Sequence, residues 1–501
     1  MAYKLLTGAT GLLGSFLLKD ALATGHQIAV LVRSSNFESA RQRVETTLAR
    51  WEQAAGRALP RPVVLEGDIS QADLGLDANS LGWLSRHCDS MIHNAASLSF
   101  QADQRSGEPW RSNVEGTGNV LETCRKCGIR RFHYVSTSYV CGLRQGRILE
   151  SELDEGQEFG NDYERSKVAA EKMVKEAGFL DRPTIYRPAI IVGDSQNGYT
   201  ATFHGFYTPL KIVHGLINKI DPEFIYGQPL MAALGLSGSE SKNFVPVDWV
   251  SAVMVYIISH PEHHGTTYHL TPQHRVPLTM WCEVVEEVIK TQIAQLAAAG
   301  RRANGDFPLD TLFRDGMDVY QSYWRDDPEF DTANTAIAAP HLPCPQIDRD
   351  TLMTLCRYAI DTNFGWPRAR PVLPDIDVQQ HLSYLPAANN GSTRSSTTEA
   401  GLGLQVNGPG GGQWQLAVRD DRVVAAEQGL ASDGAARCYL NSKSFQRLTI
   451  GECTVKQLIQ SGCVLIEGKA MEVHEVEKVL QDIVAGNARV VSKKKLNKAS
   501  V

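Results

Sequence analysis

The 501-residue chain has no apolar run long enough to cross a bilayer. The longest, VSAVMVYII at Val250 to Ile258, falls well short of the ~20 residues a spanning helix needs. No leader-like segment precedes the first element, since YKLL runs directly into a glycine-rich turn, and a cytoplasmic protein without a transmembrane segment is expected. Cysteine is sparse: ten residues spread over the chain form no dense disulfide framework, and most should be reduced thiols. Cys124 and Cys127 in CRKC are the only close pair and lack a second pair of ligands, while His260, His263 and His264 in HPEHH read as a helix-end loop. No metal is therefore expected. Charge of neither sign dominates: a net charge of -6 gives no general attraction to nucleic acid or anionic lipid. The one basic cluster, SKKKLN at Ser492 to Asn497, reads as a solvated terminal tail over residues 491–501. With 43% hydrophobic residues there is ample material for two or three domain cores.

What is present begins with TGATGLLG. Tyr3 to Leu6 reads as a short buried strand, Gly8, Gly11 and Gly14 as the turn, and SFLLKDALATG as a helix stopped by Gly25. Strand, glycine turn and helix together let backbone N–H groups and a helix amino terminus meet a pyrophosphate. The second strand, HQIAVLVRSS, ends in Arg33, Ser34 and Ser35 where an NAD-preferring protein places an acid against the ribose hydroxyl. A guanidinium there pairs with a 2′-phosphate, so NADPH is expected. Arg43, and Arg41, on the next helix would assist, an exposed helix face being the alternative. PVVLEGD then delivers Asp68, and SMIHNAA delivers His93 and Asn94, to the carboxyl edge of a parallel sheet.

Tyr-x-x-x-Lys occurs at Tyr163/Lys167, Tyr207/Lys211 and Tyr439/Lys443. Residues four apart share a helix face, so an ammonium can lower a neighbouring phenol's pKa. Pro209 inside the second copy disfavours a regular helix, and the third lies far beyond the nucleotide-binding region. The first continues as the amphipathic YERSKVAAEKMV behind a strand, FHYVSTSYV, and is the one expected to act.

In order along the first 275 residues, TGATGLLG, GDIS, HNAA, NVEGT, VSTSYVCG, YERSK, YRPAIIVGDSQNG and PVDWV resemble the extended short-chain dehydrogenase/reductases. Within them they look most like the thioester-reductase, or male-sterility-type fatty acyl reductase, branch. The resemblance implies a Rossmann-type doubly wound parallel sheet with a substrate-binding subdomain. It implies Tyr163 as general acid, Lys167 as the ammonium beside it, Thr137 as the carbonyl-positioning hydroxyl with Ser138 as the alternative, and Asn113 supporting the lysine. NADPH contacts would run along Thr7, Gly8, Thr10, Gly11, Leu12, Leu13 and Gly14, then Arg33, Arg43, Asp68 and Ile69, then Asn94, Ala95 and Ala96, and finally Tyr163, Lys167 and Pro188. The implied substrate is an acyl-CoA or an acyl carrier protein thioester, reduced to aldehyde, with a second step to alcohol open. A ketone or hydroxysteroid reductase, and a non-enzymatic lipid-binding protein with a structural nucleotide, are the alternatives.

Within the 1–275 reductase unit, residues 199–242 form an apolar insertion, and 276–386 read as a helical substrate or cap region. Residues 387–401, rich in Asn, Gly, Ser and Thr, read as a linker. Beyond it Trp414, Leu416 and Val418 alternate into a turn at Asp420 and Asp421 and resume at Val423, a hairpin. Residues 402–490 resemble sterol-carrier-protein type α+β domains, which implies a lipid or fatty acyl partner in an apolar tunnel. A small docking or homodimerisation appendage is the other reading.

Overall fold

The computed structural model describes residues 2–56, 59–216, 230–298, 324–366, 376–383, 400–408, 410–419, 422–429, 436–467 and 474–483. Linker residues 387–399, insertion residues 217–229, the Asp420 and Asp421 turn, residues 468–473 and the tail with SKKKLN lie outside them.

Seven short strands form one parallel sheet: β1 (Tyr3–Thr7), β2 (Ile28–Val32), β3 (Val63–Glu66), β4 (Cys88–His93), β5 (Arg131–Val135), β6 (Thr184–Pro188) and β7 (Thr267–Leu270). Their order is β7-β6-β5-β4-β1-β2-β3. The chain departs from β1 in one direction and returns beside it as β4, so the carboxyl ends of β1 and β4 flank a crevice. Burial on both faces explains the nearly continuous apolar strands. Leu6, Val30 and Ile92 pack with α1 (Leu12–Ala23) and α2 (Ala40–Ala55), while Leu5, Leu31 and Met91 pack with α3 (Ala78–His87) and α4 (Gly116–Cys127). Helix α5 (Asp162–Glu176) joins the second core through Ala170 and Val174.

A third core beyond the crevice gathers Phe206, Tyr207, Phe244, Trp281 and Leu352. Pro209 does not prevent a helix there. It sits in the first turn of Thr208–Leu216, where no N–H is required of it. Tyr439 lies on a strand, and Lys443 on the following helix.

The C-terminal unit is α+β. Strands β8 (Ala400–Asn407), β9 (Gly412–Arg419), β10 (Arg422–Gln428), β11 (Ala436–Asn441) and β12 (Val464–Glu467) run in the order β10-β9-β8-β11-β12, with β8 and β11 parallel. One face packs Leu404, Trp414, Leu416 and Cys438 against Phe445, Leu448, Val479 and Leu480. Val378 and Leu382 belong to this core too, so the helix Val378–Ser383, assigned by sequence to the cap region, packs with the C-terminal unit instead. The opposite face of the sheet covers the first domain. Gln405 and Gln413 donate to the carbonyls of Pro62 and Val64 at 2.9 and 3.3 Å, capping an edge strand that would otherwise be open. Tyr3 donates to Glu467 at 2.7 Å and lies 2.6 Å from the Tyr439 hydroxyl.

Beside this seam the Arg61 guanidinium, with 3% of its side chain exposed, joins Glu52 and, at 3.2 Å, Glu45. Arg61→Leu leaves two carboxylates without their cation. Loss of about 3–5 kcal/mol is expected, measured by urea unfolding.

Candidate functional site

A cavity of about 570 Å³ opens at the crevice between β1 and β4. Its walls come from the carboxyl ends of β1, β2, β4, β5 and β6, as the sheet topology requires. The cradle at one end is backbone. Gly8 has φ of +72°, and a Cβ on Gly14 would lie 2.0 Å from the Gly8 carbonyl oxygen, so the turn folds back on the helix as only glycine permits. Asn94 donates its side-chain amide to that carbonyl at 3.3 Å. Helix α1 starts here with Gly11 as its cap and no acid in its first turn, leaving its amino terminus open to an anion.

Arg33 and Arg43 stand together at the rim. Arg43 donates to the Arg33 carbonyl and, at 2.8 Å, to Thr10 Oγ1. Burial, and next the Arg33 charge, lower the Arg43 pKa. Asp68 is 3.8 Å from Arg33, which is 70% exposed, and Glu38 acts on Arg43. Two guanidiniums side by side at the rim fit a phosphorylated ligand. The cradle, the open helix terminus and this pair together fit a dinucleotide, the glycine contact being the firmest feature.

The structure brings Thr7, Gly8, Thr10, Gly11, Leu12, Leu13, Arg33, Arg43, Asp68, Ile69, Asn94, Ala95, Ala96, Thr137, Tyr163, Lys167 and Pro188 onto this one cavity. Gly14 acts from behind, through the close approach just described. Asn113 is not on the wall. It is 1% exposed and its side chain bonds Ser97 and Ser166, whose hydroxyl donates to the Tyr163 carbonyl at 2.7 Å. It thus holds α5 in place, and among the described residues its side-chain hydrogen bonds go to Ser97 and Ser166 and not to Lys167. Ser138, fully buried, does not line the cavity, whereas Thr137 does.

Lys167 departs from the sequence expectation. Its ammonium, 1% exposed, donates to the Tyr134 hydroxyl at 2.9 Å and the Val135 carbonyl at 2.8 Å. Burial brings its pKa down to about 7, partly offset by Glu171 one helical turn away. Burial likewise raises Tyr163 above the ordinary phenol value, with a hydrogen bond from Thr137 pulling the other way. The ammonium does not depress the phenol here because desolvation dominates both groups. Tyr163 is therefore a protonated acid at neutral pH.

Sequence reasoning missed several neighbours. Arg187 and Glu171, both fully buried, form an ion pair at 2.6 Å behind the lysine. Lys242 pairs with Asp327 on the far wall, where Asp327 also accepts from Tyr139 at 2.6 Å. Phe206, Tyr207, Phe244 and Trp324 complete that wall. These partners are separated by up to 188 residues, and no local spacing announces them.

The Lys167 shift sets a pH dependence. A lysine whose pKa falls on folding penalises the folded state fully below its folded pKa, and the penalty fades as pH rises towards the unfolded value. The melting temperature of wild type relative to Lys167→Met should be flat below about pH 6 and climb from about pH 7 to 9.5 in the cofactor-free protein.

Residues 6–254 match the family described as Male sterility protein. A linear gramicidin synthase of Brevibacillus parabrevis is 27% identical over 385 residues, 71% of this chain and 7% of that protein. Aldehyde reductase lnaA of Aspergillus flavus is 28% identical over 285 residues, 54% of this chain and 26% of its own length. The chain thus spans only a small part of these curated relatives. Among solved structures, the terminal R domain from the myxalamid PKS-NRPS biosynthetic pathway aligns with a TM-score of 0.58 at 26% identity, covering 74% of this chain and 93% of that one. The parallel sheet and glycine cradle accompany this likeness, and residues 6–254 are similar to the Male sterility protein family.

Proposed function

We propose that this chain is an NADPH-dependent reductase that releases acyl groups from thioesters as aldehydes. The observation that carries the reading is the cavity itself. Backbone and guanidinium groups suited to a phosphorylated dinucleotide form one end, aromatic side chains form the other, and the Thr137 and Tyr163 hydroxyls lie on the same wall. The likeness to a terminal R domain supports a thioester on a carrier protein, and an acyl-CoA carries the same thioester chemistry.

Thr7, Gly8, Gly11, Arg33, Arg43 and Asn94 would hold NADPH, which supplies hydride to the carbonyl carbon. As charge develops on the carbonyl oxygen, the Thr137 hydroxyl hydrogen-bonds it and the Tyr163 phenol protonates it. Return of that proton to Tyr163 accompanies collapse of the hemithioacetal. The C–S bond breaks, the thiolate leaves and the aldehyde is freed. A second round of the same chemistry gives alcohol. Lys167, its pKa brought down to about 7 by burial, supplies a partial positive charge beside the site, and Asn113 keeps α5 in register.

The ten cysteines are all free thiols, which fits a reducing compartment, and we read the enzyme as cytoplasmic. To the C-terminal unit we assign docking on the reductase half rather than lipid carriage. Its described core is occupied by Trp414, Leu416, Phe445 and Leu480, and the space at the seam is about 20 Å³. Displacement of a fluorescent fatty acid from the full chain would reverse that assignment.

Purified protein given NADPH with acyl-CoA, acyl-pantetheine or a ketone tests the reading through absorbance loss and product identity. Thioesters should be consumed with aldehyde formed, while consumption of ketones alone would replace the reading. Tyr163→Phe should lower kcat about 100-fold or more with NADPH affinity nearly unchanged. Replacing Arg33 and Arg43 together by alanine should weaken NADPH binding about tenfold and leave NADH binding little altered, measured by fluorescence titration.

A further inference from the structure

We propose that His93 is a positioning residue: a neutral imidazole, protonated on Nε2, that fastens the glycine cradle to the helix bearing Tyr163 and Lys167. Its consequence for turnover rests on the reductase reading above. Its protonation state does not.

His93 ends β4, is 1% exposed and has a hydroxyl at each ring nitrogen. The hydrogens can be placed from both ends independently. Thr7 Oγ1 accepts the backbone N–H groups of Asn94 and Ala95, each at 3.1 Å, so its two lone pairs are used. Its own proton then points to His93 Nδ1, 2.8 Å away, and Nδ1 must be an acceptor. At the other nitrogen, Thr117 donates its hydroxyl proton to the Asn113 carbonyl at 2.6 Å. Thr117 can only accept from His93 Nε2 at 3.1 Å, and Nε2 must carry the hydrogen. Both ends demand one tautomer.

The chain continues into the catalytic side. The Tyr134 hydroxyl accepts from Lys167, so its proton is left for Thr117, the hydrogen-bond partner on its other side. The Asn113 side chain reaches Ser166, and Ser166 the Tyr163 carbonyl. One directed set of hydrogen bonds thus spans the end of β1, the end of β4, the start of α4 and the first turns of α5. The charged group acting on the imidazole is Lys167, and its remaining neighbours include the Phe132 and Tyr134 rings at 6.2 and 5.7 Å. Burial first, then Lys167, hold the His93 pKa down to about 3. A protonated Nδ1 would face the Thr7 proton and break the chain at the cradle.

Histidine-selective ¹⁵N labelling of the cofactor-free full chain tests this, with His93 assigned by its loss in His93→Gln. An Nε2–H tautomer is expected throughout about pH 5.5 to 8.5, with no more than the small shift that Lys167 titration imposes, and an Nδ1–H tautomer or conversion of both ring nitrogens to the imidazolium pattern in that range overturns the proposal. His93→Phe, confirmed folded by circular dichroism, should bind NADPH about tenfold more weakly, and His93→Gln, which keeps an acceptor and a donor, should recover most of that loss. A folded His93→Phe protein with wild-type NADPH affinity also overturns it. Failure to reduce any thioester sinks the reductase reading alone, because the spectra and the binding titration do not depend on turnover. If His93→Phe does not fold, the spectra decide.

Discussion

A lysine ammonium kept out of water is the constraint around which the site is built. Among the described residues Lys167 has no carboxylate in hydrogen-bonding contact, so two oxygens, of Tyr134 and Val135, replace its hydration. Glu171 adds attraction from one turn along α5, and burial alone would raise that carboxyl's pKa. Arg187, joined by Lys175 and Ser136, outweighs the effect and holds it below the ordinary value. The charge on Glu171 is secured by a second buried ion, and through it some charge is retained on Lys167. Removing any one of these groups leaves another uncompensated in a medium where that is costly.

How much of this was legible in the sequence depended on distance along the chain. The cradle and the Tyr163/Lys167 pair are local, so spacing reveals them: three glycines must clear a turn and a returning helix, and two residues four apart share a face. Arg33 is legible because the end of a second strand has one place to go in a parallel sheet. The partners of Lys167 are not, since Arg187 arrives on β6 and Tyr134 on β5. Pro209 misled because a proline-containing stretch reads as broken unless the helix start is known. The direction of the Tyr163 shift was missed for another reason, as pairing is visible in sequence and burial is not.

The C-terminal sheet answers a problem that the first domain creates. A parallel sheet ending in β3 presents an edge, and two glutamine side chains from β8 and β9 take up backbone carbonyls there. Helix α2 links the two regions physically. It carries Arg43 at the cavity rim and Glu45 and Glu52 at the seam, within one rigid rod of four and a half turns. Displacement of the C-terminal sheet would therefore be felt at the arginine pair through a helix that has little freedom to bend. Among the described residues, Trp414 and Phe445 belong to the packed core of this unit.

The cavity divides the work by chemistry. Its dinucleotide end is lined by backbone and two cations, groups that gain most from fixed negative charge. Its far end is aromatic, and there Lys242 is already neutralised by Asp327. A thioester is suited to that division because its reacting carbonyl lies between a polar carrier arm and an acyl group that favours apolar surroundings. Thr137 and Tyr163 both line the cavity, and in the proposed reduction their protons are the ones a developing oxyanion would require. In that proposal water would compete for both, so the aromatic wall would also serve the chemistry: the drier the site, the more a neutral phenol gains by protonating oxygen in place of solvent.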